Sequence, residues 1–341
     1  MFISASTMVC PVGLSAAAAC VAKRGGISAF KDLQYHDNED EPIVGAMVPG
    51  IEPTLRCAPR LVELLKSALA DLLKEQPNRR WEQVPLLVAL AEPHRPGGGA
   101  ELANTMVRQV QEALKVRFHP QHSRVFALGH AAGFQALRLA REILKHGSTI
   151  PACIVCGVDS LVNAATLLWL DQHFRLKTPA NRDGVIPGEA AAAMLILATP
   201  PQEAVAQVIG LGFAKEKAHI LSEEPLLGLG LAEAARVALA EAKLGLHEID
   251  WRFSDVTGEL YGFKELPLME GRLMRVLRKQ EQPLWHWAES TGDTGAVAGI
   301  IQLVAVDDAF RRGYAPGDRV ICLTSSVPGD RAACVVRRRA R

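Results

Sequence analysis

No run of eighteen apolar residues occurs anywhere in the 341-residue chain, so the sequence offers no membrane-spanning helix. An excess of one charge is missing too. The chain carries 38 Lys and Arg against 37 Asp and Glu, a formal net charge of +1. That balance excludes a broad field steering it toward nucleic acid or an acidic membrane. The opening MFISASTMVCPVGLSAAAACVAKRGG has no basic start, and Pro11 and Gly13 break its apolar stretch. It reads as a strand over Phe2–Val9 and a helix over 15–23 capped by Ser15, not as an export signal. The expectation that follows is a cytoplasmic chain whose seven cysteines are free thiols. No second cysteine pair accompanies Cys153 and Cys156 at zinc spacing. Their C-x-x-C lies in an apolar stretch that reads as a buried strand, where positions i and i+3 face opposite ways. Short-period repeats and low-complexity segments are absent. The glycines of RPGGG after His94 lack the G-K-[ST] of a phosphate loop, so no cofactor and no metal is expected.

What is present is a globular composition, 49% hydrophobic and 22% charged. Apolar strand candidates fall at 86–91, 124–128, 152–158, 191–198, 205–213, 251–256, 284–288, 320–324 and 332–336. Helix candidates fall at 57–75, 101–114, 133–146, 229–243, 262–279 and 295–312. Strands alternating with helices of this length predict βαβ units and a mainly parallel sheet. Paired prolines at LATPPQEAV mark a boundary near 199–203, and the order of elements on its two sides is similar. Two related halves, 1–199 and 200–341, are therefore expected. The acidic run 34–42 reads as a solvated loop, and Arg337, Arg338, Arg339 and Arg341 as a solvated basic tail.

The stretch LGHAAGFQALRLA over 128–140 reads as a Gly-rich turn opening a helix, with His130 at its tip. Such a strand–turn–helix is where many enzymes present a nucleophile. With CIVCGVDSL and RLKTPANRDGVIPGEAAAAMLIL downstream, it resembles the β-ketoacyl synthases of the thiolase superfamily. The resemblance covers essentially the whole chain, more weakly after residue 200. It implies an α/β fold of five layers, α-β-α-β-α, with two pseudo-repeated halves. It also implies a homodimer or heterodimer built across the strand that precedes the turn.

In that family a cysteine on the turn carries the acyl group, two histidines polarise the thioester carbonyl, and two backbone N–H groups hold the oxyanion. This sequence departs at each position. The turn Gly129-His130-Ala131-Ala132-Gly133 puts His130 at the nucleophile position. SDVTGELYG supplies Thr257 where the first histidine is expected, and STGDTGAVAG supplies Asp293 where the second is expected. SSVPGDRAA replaces the gating loop and, with Pro328, loses an N–H. Gly129, Gly133, Gly188, Gly292 and Gly295 keep the frame. Glu189 matches the family glutamate that supports the site loops, and Asp183 reads as a loop ion pair with Arg182. An acyl-imidazole hydrolyses readily, Asp293 places negative charge where an enolate must be stabilised, and Thr257 cannot shuttle a proton at neutral pH. Losing one preorganised donor alone costs about 10² in rate.

The expectation is a catalytically inactive homologue that acts by protein binding. The compact chain resembles the thiolase-like adaptors encoded beside type VI secretion effectors. Two other readings stay open: a chain-length-factor-like subunit pairing with an active ketosynthase, and a hydrolytic or acyl-transfer enzyme using His130 and Asp293. No nucleic-acid partner is expected.

Overall fold

Apolar residues recur at two periods along the chain, and the elements follow them. The computed structural model describes residues 1–52, 54–145 and 149–339. The first half contains β1 (Phe2–Val9), α1 (Ala16–Arg24), β2 (Lys31–His36), β3 (Pro42–Gly45), α2 (Cys57–Lys74), β4 (Leu86–Leu90), α3 (Met106–Leu114), β5 (Arg124–Ala127), α4 (Ala132–Ile143), β6 (Cys153–Ser160), α5 (Ala164–Gln172) and β7 (Glu189–Leu197). The second contains β8 (Ala206–Lys215), α6 (Leu229–Ala242), β9 (Trp251–Ser254), α7 (Leu260–Leu273), β10 (Leu284–Trp285), α8 (Ala288–Thr291), α9 (Ala298–Arg312), β11 (Arg319–Ser325) and β12 (Asp330–Arg338).

The large sheet runs β10-β9-β11-β12-β8-β1-β7-β6-β4-β5. Its two wings meet where Phe2 and Ile3 pair with Gln207 and Ala206 and where Met1 and Val208 exchange backbone bonds. Outward from that seam, each wing places its first, fifth, fourth, second and third large strand in turn. The pairing senses also match: β1–β7 and β7–β6 are antiparallel and β6–β4 and β4–β5 parallel, as are β8–β12, β12–β11, β11–β9 and β9–β10. The same chain path is thus traced twice.

Strand periodicity separates the layers. In β6, Cys153 and Val155 enter one core while Ile154, Cys156 and Val158 enter another. In β12, Ala332, Cys334 and Val336 face the first core and Ala333 and Val335 a third. The first core lies between the wings and holds α4 and α9. The second lies under α2 and α3, and the third under α6 and α7. Five layers result, α-β-α-β-α. From Gly299 to Phe310 every residue of α9 is buried, as a helix sandwiched between two sheets must be. Cys153 and Cys156 fall in different cores, so they are no redox pair, and all seven cysteines are free thiols.

Several sequence expectations are corrected. The acidic run is not a solvated loop throughout: β2 and β3 form a hairpin, and Asp37 Oδ1 closes its turn by accepting from the N–H groups of Glu39 and Glu41. Helix α5 was not expected. It is apolar nearly all round, so no 3.6-residue stripe announces it, although Asn163 caps it by accepting from Thr166 N. The helix over 101–114 is split at Thr105, because left-handed Gly99 starts a separate 3-10 turn. α7 ends at Leu273 rather than 279, since Arg278 turns away to donate to the carbonyls of His247 and Ile249. The strand at 284–288 shortens to β10 because Ala288 begins α8. The basic tail keeps exposed side chains at Arg337 and Arg338, as expected, but its backbone is tied down. Arg337 and Arg338 continue β12, and Arg339 donates to Val205 O and Pro201 O. Arg341 and the 146 end of the helix over 133–146 lie outside the described residues. Ser15 caps α1 as expected, accepting from Ala18 N at 3.2 Å. No helix among the described residues is long and apolar enough to cross a membrane.

Candidate functional site

The turn that opens α4 is held by groups from both halves. Gly129 is left-handed, with φ +60°, and a Cβ there would lie 2.1 Å from Glu92 Oε1. Only glycine meets both demands. A single 3-10 turn then carries His130 into the helix. Ser326, in the loop after β11, clamps this turn: its Oγ donates to Leu128 O at 2.6 Å and accepts from Ala131 N at 2.9 Å.

Asp293 reaches the same place from the link between α8 and α9. Its N–H donates to Ile186 O, and its carbonyl accepts from Gly188 N. Gly188 has no room for a side chain, because a Cβ would sit 2.0 Å from Thr291 O, and Gly292 is left-handed. Asp293 Oδ1 accepts from Gly295 N and from His130 Nε2, both at 2.9 Å. Both side chains are buried. Burial works against charging either group, yet each charge sustains the other. The imidazole is pushed up to about 10 by the Asp293 carboxylate, helped by Asp255 and Glu92. The Asp293 carboxyl is held down to about 2 by the imidazolium, Gly295 N–H and Arg175. The pair is therefore an ion pair at neutral pH, and His130 Nδ1 is buried without a partner.

His130, Asp293 and Thr257 line one cleft, with Arg175, Asp255 and Glu259. Arg175 grips Glu259 with two bonds of 2.7 and 2.8 Å, while its Nη1 is buried and unpartnered. Burial raises the Asp255 carboxyl to about 6 despite the imidazolium and the N–H of Ser325, which donates to it at 2.7 Å. The cleft measures about 50 Å³. That admits a few waters, against roughly 300–1,000 Å³ for small-molecule sites. None of the seven cysteines lines it.

The other expected residues surround this centre. Asp183 does not pair with Arg182: its Oδ1 accepts from Leu260 N at 2.7 Å and fixes the start of α7. Adjacent residues of opposite charge suggested a pair that the loop does not form. Glu189 sits behind the cleft, bound by Arg60 through two bonds, by Val48 N and by Ser160 Oγ. Gly133 packs its bare Cα under Ile300. His94 is exposed. Its neighbour Arg95 is buried and pairs with Asp159, whose Oδ2 accepts from Ala296 N at 2.8 Å at the start of α9. Sequence reading missed Arg175, Asp255, Glu259, Ser326 and the Arg95–Asp159 pair. The available signals were Asp159 directly after an apolar run and Arg175 beside the RDG loop. Among the described residues, no three His, Cys, Asp or Glu side chains converge as metal ligands would.

The arrangement can hold a proton on His130 and lines the cleft with carboxylates but with no thiol. By sequence, neither a family model nor a curated protein matches the chain. By structure, the ishigamide ketosynthase/chain length factor matches with a TM-score of 0.81 at 15% identity, covering 99% of each chain. A ketosynthase in complex with its chain length factor from Xenorhabdus doucetiae matches with 0.76 at 14%, over 99% of this chain and 98% of that one. A β-ketoacyl synthase from Burkholderia phymatum matches with 0.73 at 17%, over 99% of each. The chain has the thiolase-like fold of β-ketoacyl synthases and chain length factors.

Proposed function

We propose that this chain is a ketosynthase-fold protein that does not condense acyl groups and acts by binding other proteins, as a cytoplasmic adaptor or chaperone for cargo such as type VI secretion effectors. Its two halves are 1–199 and 200–341. One observation carries the reading: the helix mouth where the fold's enzymes present a thiolate holds an imidazole locked to Asp293 in a cleft of about 50 Å³. An acyl chain has neither an attachment point nor room there. The frame around the turn is intact, which supports selection on the surface rather than the pocket. Among the described residues, strand β5 is an edge strand paired only with β4, with Val125 and Phe126 half-buried. A free edge of this kind supports pairing with a second ketosynthase-fold chain, identical or not.

A hydrolase using His130 and Asp293 is disfavoured. An imidazole held protonated up to about 10 is no general base at neutral pH, and no hydroxyl nucleophile is bonded to it. The chain-length-factor reading rests on solved structures that pair ketosynthases with such subunits. Two experiments divide these readings. Purified protein incubated with acyl- and malonyl-thioesters is expected to give neither turnover nor a covalent adduct by mass spectrometry. Condensation lost on His130→Ala sinks the inactive reading. Affinity purification from the native host is expected to recover secretion cargo, whereas recovery of ketosynthase subunits alone replaces the adaptor with the chain-length-factor reading.

A further inference from the structure

A second cleft shares no residue with the first and lies where the end of α1, strand β10 and Tyr314, just beyond α9, meet. Its volume is about 300 Å³, within the range of small-molecule sites. Two small residues, Cys20 and Ala305, leave the space open at its base. Phe253, Trp285 and Tyr314 line it. These rings are set in advance: Trp285 packs on buried Trp251 with centroids 4.5 Å apart, edges onto Phe253, and lies within 17° of parallel to Tyr314. Preformed aromatic surfaces favour a flat aromatic guest, which stacks or packs edge-on at little conformational cost.

The polar groups at this cleft are mainly donors. Lys23 and Arg24 end α1 at its rim. The Arg24 guanidinium lies 4.1 Å above the Tyr314 ring, and among the described residues it makes no ion pair or hydrogen bond. His286 Nδ1 is buried without a partner. Glu289 is the one carboxylate in the lining, and Lys23 already binds it. A cation arriving here meets Lys23 and Arg24 at the rim, whereas an anion gains charge-assisted bonds. Burial lowers the Lys23 ammonium to about 8, and an arriving anion would strengthen its charge.

We infer that this cleft binds a small aromatic acid, its ring against Trp285 and Tyr314 and its carboxylate toward Arg24 and Lys23. The inference does not depend on the proposed protein-binding role. Calorimetric titration of the full chain with indole-3-acetate tests it. Submillimolar binding is expected, with tryptamine, the matching cation, bound at least tenfold more weakly. Arg24→Gln removes an exposed guanidinium without disturbing the core and should weaken the acid about tenfold, the worth of one charge-assisted bond. Ala305→Phe fills the base of the cleft and should abolish binding, with melting and circular dichroism confirming the fold. The inference is overturned if indole-3-acetate gives no heat, if tryptamine binds equally well, or if Arg24→Gln leaves the affinity unchanged.

Discussion

The turns that open α4 and α9 are two versions of one structure. Gly129-His130-Ala131-Ala132-Gly133-Phe134 and Gly295-Ala296-Val297-Ala298-Gly299-Ile300 align without a gap. Each begins with a left-handed glycine, at φ +60° and +53°, and passes through one 3-10 turn into the helix. At each glycine a Cβ would lie 2.1 Å from a buried carboxylate oxygen, Glu92 Oε1 or Asp159 Oδ2. The helices then interlock reciprocally: a Cβ on Gly133 would meet Ile300, and one on Gly299 would meet Phe134. The difference lies in what surrounds the second position. At α9 it is Ala296, and the nearby carboxylate is fully used by Arg95, Ser160 N and Ala296 N. At α4 it is His130, and both Glu92 Oε1 and His130 Nδ1 are buried without a partner, whereas at α9 the carboxylate is satisfied and the unpartnered atom is Arg95 Nε. The shared pattern is what the fold requires.

The contrast predicts unequal costs. Asp159 is a charged cap with a buried arginine behind it. Asp159→Ala strands Arg95 in the interior, and breaking a buried pair from one side costs about 3–5 kcal/mol. Urea unfolding should show that loss, and a change under about 1 kcal/mol would mean that Arg95 is not held as described. The reciprocal glycines come next. Gly133→Ala forces Ile300 aside, because the new Cβ would lie 2.8 Å from its Cγ1; overpacking of this kind costs roughly 1–3 kcal/mol. Gly299→Ala, at 3.1 Å from Phe134, should cost less. Double-mutant cycles should couple Gly133 with Ile300 and Gly299 with Phe134 by more than about 0.5 kcal/mol. Absence of coupling would break the symmetry argument.

Much of this comparison was legible in the sequence, for reasons that also explain the rest. The glycine and alanine frames at 129–133 and 292–299 stand out because close packing permits few residue types. His130, Thr257 and Asp293 share a cleft because their loops hang from strand ends that both halves place alike. Long-range pairs were not legible. Arg175 reaches Glu259 across 84 residues, and Arg95 reaches Asp159 across 64. One sequence gives no cue for which distant charges meet. Arg182 and Asp183 show the opposite error, since sequence adjacency suggested a pair that the backbone directs apart. Helix α5 escaped notice because apolar residues on its exposed side too, such as Leu168, erase periodicity, and the 3-10 turn before α9 because its residues also suit an α-helix.

The histidine that distinguishes the α4 turn from the α9 turn also makes the former sensitive to pH. Its folded value of about 10 exceeds the usual 6.5, so the folded protein keeps a proton that the unfolded chain has released between these values. Stability from His130 is fully present below pH 6.5 and falls as pH rises toward 10, with a slope of up to about 1.4 kcal/mol per pH unit. Asp293, held down to about 2 from 3.8, contributes stability that is present above pH 3.8 and lost as pH falls toward 2. Unfolding free energies of the wild type measured from pH 6 to 10 should therefore decline more steeply than those of His130→Gln. Parallel curves would mean that no proton is held at this helix mouth.

The smallest effect concerns the cap that answers Asp159 on the other helix. Ser326 Oγ is neutral, accepts from Ala131 N, and donates its O–H to Leu128 O. Ser326→Ala leaves two backbone groups short of a partner but strands no charge, so the loss should be about 1 kcal/mol, typical of a helix cap. Because Ser326 touches neither His130 nor Asp293 through a hydrogen bond, the variant should shift the whole stability curve down without changing its pH dependence. A pH-dependent loss would show instead that the clamp and the ion pair act as one unit. The mouth of α4 would then carry a coupled network that the mouth of α9, closed by Asp159 and Arg95, does without.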